Sequence, residues 1–420
     1  VYALIRSIHN YKNKKGKGMK LLKVTSAILC ALTSIGISAQ QFEDAASIEL
    51  GSFDLTPTLD VGFRYDDNVI RSNTDKIDSW SQIISPQVVL LNSFGSSQVR
   101  FGYRLRNERF YSSEQDNYTD HFLTAAVDFE LNSRHRLDIG IDYTDGHEDR
   151  GTGFSIGNAQ ALATPDKFKQ GEFDILYSYG AFNADGRLEA NFNITNRDYD
   201  LNTPQYMARD RTFTTLGGTF FYRIGAATDA TFDIIYKDVN YKFDINSASP
   251  LDSEQLSYLV GLKWEATSKT SGFAKIGYQE KDFHSPLRED FDGIDWAAGV
   301  IWEPVEYSTV EFTTRNDTNE TNGEGNFIHG RDYQVEWRHE WLARLRSSAS
   351  YTWGTDTYEG QTGDFGVRED DLVRFKASLY YQFRRWVNIE VGYIYDQRDS
   401  NRTAIEYDRN QFIINALFTL

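Results

Sequence analysis

LTAAVDFELNSRHRLDIGIDY, residues 123–143, alternates along its length. Apolar side chains stand at every second position (Leu123, Ala125, Val127, Phe129, Leu131), a polar turn follows (Asn132, Ser133, Arg134, His135), and Leu137, Ile139, Ile141 and Tyr143 resume the pattern. A period of two is the signature of a strand, so the stretch reads as a β-hairpin with one apolar face. The other face carries Thr124, Asp128, Glu130, Arg136, Asp138, Asp142 and Thr144, too many charges for the dry core of a soluble sandwich. Repeated along the chain, this pattern predicts a closed barrel with lipid outside and water inside. The expected fold class is all-β: a transmembrane antiparallel up-and-down β-barrel.

Working outward, the same alternation marks strands at Leu55 to Tyr65, Trp80 to Leu91, Val99 to Leu105, Phe173 to Tyr179, Leu188 to Ile194 and Leu216 to Ile224. It continues at Phe232 to Tyr236, Leu256 to Trp264, Ala274 to Tyr278, Trp296 to Trp302, Val310 to Phe312, Tyr333 to Trp337 and Leu345 to Trp353. The last three strands fall at Phe375 to Phe383, Val387 to Tyr395 and Phe412 to Leu420. The count comes to about eighteen, with sixteen as the alternative, both even numbers within the range of single-chain outer-membrane barrels. Connections alternate tight (Asn132 to His135, Thr267 to Ser271, Arg384 to Trp386) and extended (Glu148 to Lys167, Asp317 to Gly330, Asp356 to Glu369). Tight turns belong to the periplasmic side of such barrels and long loops to the outside, which predicts both termini in the periplasm of a Gram-negative cell.

Prolines test this register, because a ring nitrogen cannot join a ladder. Pro165, Pro204, Pro250 and Pro286 fall in expected outer loops and Pro304 in an expected periplasmic turn. Pro57 and Pro86 fall inside the first two strands, which implies either bulges near the closure seam or a misplaced register.

Ahead of the barrel, Met19, Lys20 and Lys23, the apolar run Val24 to Ile37 and then Ser38-Ala39 read as a signal peptide cleaved after Ala39. Residues 1–18, with Lys12, Lys14, Lys15 and Lys17, are either an untranslated upstream extension or a long basic n-region. The expected organisation is thus 1–39 extension plus signal peptide, 40–52 a short periplasmic segment, and 53–420 the barrel. The single cysteine, Cys30, follows Leu29 where a lipoprotein signal requires a small residue, so no lipid anchor is expected, and the mature chain has no thiol for a disulfide.

No apolar run after Ile37 approaches the roughly twenty residues of a membrane helix, which excludes a helical inner-membrane protein. The mean hydropathy of −0.53 agrees, and a β-barrel evades that test because only alternate residues meet lipid. Removing the seven basic residues before Gln40 takes the formal charge from −17 to −24, an acid excess that disfavours nucleic acid as a partner. Abundant Tyr and Phe fit the interfacial girdles of a barrel better than the alternative of an acidic, soluble, secreted all-β protein.

Two short motifs sit at expected outer loops: Tyr65-Asp66-Asp67-Asn68-Val69-Ile70-Arg71 and His147-Glu148-Asp149-Arg150-Gly151. On these motifs and the layout from about Phe53 to Leu420, the chain resembles the β-barrel porin type 2 family, outer-membrane proteins associated with exopolysaccharide or capsule export. The resemblance implies a passage for a polysaccharide through the outer membrane and a periplasmic or inner-membrane export partner. The residues themselves leave the choice open. Asp66, Asp67 and Asn68 suit a turn that bonds its own backbone, or a Ca²⁺ or glycan contact. His147, Glu148 and Asp149 lack the spacing of a closed metal site, so a solvated loop is expected and no metal or cofactor.

Catalysis needs a positioned base beside a nucleophile. His121, His147, His284, His329 and His339 are scattered over separate hairpins, and the one candidate dyad is Asp145 with His147. The chain is therefore not expected to be an enzyme.

The expected lumen face carries Arg64, Arg100, Arg104 and Arg106 on early strands, and Arg338, Arg344, Arg346, Arg374 and Lys376 on late ones, with Glu311, Glu336 and Glu390 among them. This is either a structural lattice or a basic track for an acidic polymer. Phe221 and Tyr380 are expected inward, where rings stack on sugars; Ile235, Leu259, Ile301 and Ile413 also fall inward, at bulges or against an infolded loop. The longest loop, Glu148 to Lys167, is the expected constriction. The final alternation Phe412, Ile414, Ala416, Phe418, Leu420 resembles the signal read by the outer-membrane assembly machinery, although Leu420 replaces the usual terminal aromatic residue. The expected function is polysaccharide translocation, in contact with outer-membrane lipid and lipopolysaccharide. The alternatives are a general diffusion porin and an adhesion or scaffold barrel with a plugged lumen.

Overall fold

Alternation of branched and aromatic side chains with polar ones, in runs longer than a bilayer requires, leaves the backbone one stable way to pair every strand: a closed antiparallel sheet. The computed structural model describes residues 47–244, 249–267, 269–360 and 366–419. The expected signal peptide and residue 420 lie outside them. Strands are β1 (Ile48–Leu50), β2 (Phe53–Asp66), β3 (Ser79–Phe94), β4 (Ser97–Phe110), β5 (Tyr118–Asn132), β6 (His135–Glu148), β7 (Asp166–Tyr179), β8 (Gly186–Tyr199), β9 (Arg211–Gly225) and β10 (Thr228–Tyr241). They continue as β11 (Ser253–Thr267), β12 (Thr270–Phe283), β13 (Phe291–Val305), β14 (Ser308–Glu320), β15 (Phe327–Leu342), β16 (Leu345–Glu359), β17 (Arg368–Arg384), β18 (Val387–Ser400) and β19 (Tyr407–Thr419).

Each strand from β2 to β19 pairs antiparallel with its chain neighbours, and β19 closes on β2 through pairs running from Gln411↔Asp66 to Thr419↔Thr58. Among the described residues this is the closed eighteen-stranded barrel that the sequence predicts. The exposed face holds Leu123, Ile141, Phe220, Ile234, Tyr258, Ile276, Leu379 and Phe412, each about half accessible and ready for lipid. Two-residue turns at 95–96, 133–134, 226–227, 306–307, 343–344 and 385–386 form one rim; connections at 67–78, 111–117, 149–165, 200–210 and 284–290 form the other.

The two strand prolines need no bulge. Pro57↔Val88 and Leu59↔Pro86 lie in an unbroken β2–β3 register. On the other side of β2, the described pairing with β19 runs to Thr419↔Thr58 and that with β1 begins at Leu55↔Ile48, so Pro57 lies at the junction between the two partners. Pro86 falls where the β3–β4 ladder skips from Ile84↔Asn107 to Gln87↔Arg104. Pro304 lies in the last residues of β13, beside a register shift, rather than in the turn.

The long connections also differ from expectation. β14 runs to Glu320 and β15 starts at Phe327, so the expected loop 317–330 shrinks to 321–326; likewise β16 extends to Glu359. These strands rise above the apolar belt, where polar side chains no longer signal the end of pairing.

Candidate functional site

The first motif is a clasp over the closure seam. Asp66, fully buried at the end of β2, accepts from Arg409 Nε at 3.0 Å and Gln411 Nε2 at 2.9 Å, both on β19, and from the Asn68 backbone at 3.0 Å. Asp67 accepts from Asn410 N and Nδ2, each at 2.7 Å. Asn68 donates Nδ2 to the Ser72 and Asp408 carbonyls, both at 2.9 Å. These are the side-chain-to-backbone bonds that short polar residues make in turns. They route the loop inward, where Val69 packs on Phe110 and Tyr118 and Ile70 is fully buried. Tyr65 faces outward, 5.4 Å from the Trp80 ring.

The second motif docks on the first. Arg71 donates Nη2 to Asp149 Oδ2 at 3.0 Å. Asp149 Oδ1 lies 3.0 Å from His147 Nε2, whose Nδ1 lies 2.9 Å from Asp120 Oδ1, while the imidazole sits 3.8 Å from the Tyr118 ring centre. Gly151, at φ +84°, presses so close to Ile70 that a Cβ would overlap its carbonyl. Arg150 reaches Asp116 through Nε and Nη2, both at 2.7 Å. Glu148 accepts from Arg197 at 3.1 Å and Tyr199 at 2.8 Å. Both ring nitrogens of His147 are thus taken by carboxylates, and neither partner is Asp145, which stands opposite His121.

His147 is the next-to-last residue of β6, beyond the last lipid-facing aromatic, Tyr143, and so above the bilayer core. Burial works against a charged imidazole there, but hydrogen bonds to Asp120 and Asp149 outweigh it and push His147 up to about 9. Burial likewise opposes the Asp149 carboxylate, yet Arg71 and His147 hold it well below the usual range.

From this anchor the loop 149–165 crosses the mouth. Phe154 lies perpendicular to Tyr199 at 6.2 Å and under the Arg209 guanidinium at 4.0 Å. On the far side, a Cβ on Gly323 would stand 3.3 Å from Phe154 Cδ1, and one on Gly157 would stand 2.5 Å from Ile405 Cγ2. The connections at 321–326 and 401–406 therefore receive a loop that starts eight strands away from the first of them. Glu324 in turn binds Arg368 at 2.8 Å and Arg402 at 3.0 Å.

Below the mouth, the wall is a lattice of opposite charges. Arg64 pairs with Glu108, which also accepts from Ser81 and Tyr118 at 2.6 Å each, and Arg106 bonds Tyr118 at 2.9 Å and Glu108 at 3.3 Å. Arg104 lies 4.3 Å over Phe122, and Arg100 reaches Gln98 at 3.4 Å. Arg338 bridges Glu311 (3.0 Å) and Glu336 (3.2 Å), Arg346 binds Glu340 (3.2 Å), and Arg374 binds Asp396. Glu390 is buried beside Tyr380, and Lys376 stands between Ser350 and Ile394 in register. Arg344 is not in the lumen: it lies exposed in the turn between β15 and β16.

Two other expectations change. Phe221 is 1 % exposed, packed with Phe273, Ala297 and Ile301, and is closed to a sugar. Ile235, Leu259, Ile301 and Ile413 coincide with no register shift, so no bulge explains them, and Ile301 packs against this wall cluster rather than an infolded loop. The sequence reading missed Glu108, Tyr118, Asp120, Asp396 and Arg409, the partners that complete the lattice. Strand parity places Glu108, Asp396 and Arg409 beside residues it did name.

The residues 43–419 match the family model described as Putative beta-barrel porin 2, and the chain belongs to that family. It is accordingly an outer-membrane β-barrel of porin type. Comparison with curated proteins finds no match. Among solved structures it is similar to Pseudomonas aeruginosa OpdL (14 % identity, 88 % of this chain and 100 % of that one, TM-score 0.46) and to OprD of the same organism (13 %, 90 % and 97 %, 0.44). It is also similar to the FrpB iron transporter from Neisseria meningitidis, F3-3 variant (10 %, 87 % and 81 %, 0.43).

Proposed function

We propose that the barrel is a channel, closed at rest, that passes an exopolysaccharide or capsular polysaccharide outward through the outer membrane. The observation that carries this reading is the loop 149–165, drawn across the mouth and pinned by Arg71, Asp149, Phe154 and Gly157 to the loops 67–78, 321–326 and 401–406. A passage for small solutes gains nothing from a loop pinned across its mouth, whereas a secretion channel must not leak between substrates. Lumen arginines already neutralised by Glu108, Glu311, Glu336, Glu340 and Asp396 favour a neutral or sparsely charged polymer over the acidic one that a basic track would suit.

In this reading both termini are periplasmic. The tight-turn rim meets a periplasmic or inner-membrane export partner, and lipopolysaccharide surrounds the long-loop rim. The assembly machinery reads β19. No catalytic step is assigned, since His147 is committed to Asp120 and Asp149.

The test is single-channel conductance of the refolded barrel in a planar bilayer, with neutral or acidic oligosaccharides on one side. A small resting conductance, rising when residues 152–163 are removed and then blocked stepwise by neutral glycans, is the expected result. A large conductance indifferent to glycans makes the protein a general diffusion porin, and persistent silence after loop removal makes it a plugged scaffold.

A further inference from the structure

The barrel wall is not sealed to the top between β13 and β14. Their pairing stops at Trp296↔Asn316, although β13 continues upward to Phe291 and β14 to Glu320. Directly paired residues share a face, so Asn316, Thr318 and Glu320 belong with the outward-facing Trp302 and Ile294, both at least half exposed. Thr318 and Glu320 are nevertheless buried, 1 % and 4 % exposed, and their partners lie on the inner face of the opposite side of the seam. Thr318 Oγ1 donates to Gln255 Oε1 at 2.9 Å; Glu320 Oε1 binds Lys281 Nζ at 2.9 Å and stands 3.7 Å from Lys237; Tyr241 donates to Glu320 Oε2 at 3.3 Å.

β15 repeats the pattern. Phe327 and His329, on the outward face by their pairs Glu359 and Thr357, pack on Phe291 at 4.9 and 5.2 Å, and Phe327 on Phe283 at 6.3 Å. Both phenylalanines belong to the inner face of β12 and β13, since Phe291 pairs with the fully buried Lys281. The upper ends of β14 and β15 thus run inside β11 to β13, like the free edge of a scroll. The edge that β13 presents to them, residues 291–295, has no ladder pair with β14 there, and Ile294 O accepts from the Asn316 side chain.

We infer that the β14–β15 hairpin is the moving leaf of the channel: unrolled, it leaves Gln255, Lys281 and Phe291 and zips onto β13, widening the mouth. Continuing the existing register sets Asp317 opposite Asp295, Thr318 opposite Ile294 and Glu320 opposite Asp292. The rolled form keeps the Glu320 ion pair and the aromatic contacts; the unrolled form recovers the missing ladder bonds of the β13 edge. Each state therefore satisfies what the other leaves unmet, which is what a two-state element requires. The inference rests on the channel reading, but its structural half is readable without any substrate.

The experiment uses the full chain in a Cys30→Ser background, carrying either Gln255→Cys with Thr318→Cys or Ile294→Cys with Thr318→Cys, refolded into liposomes and oxidised. The first pair is set to bond at rest. The second is expected to bond more slowly, trapping the unrolled form, and to raise single-channel conductance at least threefold, reversed by a thiol reductant. Folding of both variants is checked by the heat-dependent shift in electrophoretic mobility. If the 294–318 pair never forms in folded protein while the 255–318 pair does, the leaf does not move and the inference is wrong, whatever the barrel conducts. If the 294–318 bond forms but conductance does not change, the hairpin moves without gating, which equally overturns it. If it forms and conductance rises without any glycan block, the gate stands and the polysaccharide reading fails.

Discussion

The two motifs gain their meaning from one histidine. His147 lies between Asp120 and Asp149, and Asp149 joins it to Arg71, so the charge on this imidazole ties the loop 149–165 to the loop 67–78. Its folded pKa of about 9 lies above the ordinary value of about 6.5, so the stabilisation is fully present below about 6.5 and is lost as pH rises through 9. Asp149 acts in the opposite direction. Its carboxyl is held low, and its contribution persists until pH falls well below the ordinary carboxylate range. The clasp should therefore hold at neutral pH and loosen towards pH 10, and the rate at which a protease nicks residues 152–163 should climb across that interval. In His147→Gln, which cannot gain the proton, the profile should be flat between pH 6 and 10 with the loop already looser; a pH-dependent rise surviving in the variant would place the titrating group elsewhere.

At the scale of elements, strands were legible and loops were not. The period of two in LTAAVDFELNSRHRLDIGIDY is imposed by lipid on one side and water on the other, a constraint each strand feels locally, and β5 and β6 pair as that stretch predicts. Loop 149–165 answers to no local rule. Its course depends on Ile70, Tyr199, Gly323 and Ile405, which are distant in sequence and signal nothing until the barrel brings them together. Even the length of the upper strands escaped, because above the apolar belt β14 and β15 lose the alternation that marks a strand. One residue exposes the tertiary demand on the loop: Gly151 adopts φ +84°, and a side chain there would strike the Ile70 carbonyl. Gly151→Ala should therefore cost on the order of 1–3 kcal/mol of loop docking, felt as at least a fivefold faster proteolytic nick in 152–163 with the barrel's thermal unfolding unchanged. Equal nicking rates would mean that the loop is held by Arg150 and Phe154 alone.

For the whole molecule, the charges that the sequence leaves as either a structural lattice or a basic track take part in a lattice of opposite charges. Arg64, Arg106, Arg338, Arg346 and Arg374 each have a carboxylate partner, so their fields close over a few ångströms instead of reaching into the water column. The chain as a whole is nonetheless acidic, with a formal net charge of −17. Across β5, β6 and β7, Asp128 stands opposite Asp138 and Asp142 opposite Glu172, arrangements in which like charges raise the local negative potential. Since the sign of the net charge along a pore sets which counter-ion enters, a barrel with loop 152–163 removed should prefer cations. The reversal potential across a tenfold KCl gradient measures this, and its sign should be that of potassium permeating faster than chloride. Raising both salt concentrations at a constant ratio should shrink the preference, because screening over a few ångströms leaves only the innermost carboxylates effective. An anion preference would instead mean that Arg100, Arg104 and Lys376 dominate the water column. That outcome would restore the acidic polymer as the cargo and reverse the charge of the glycan expected to block the channel.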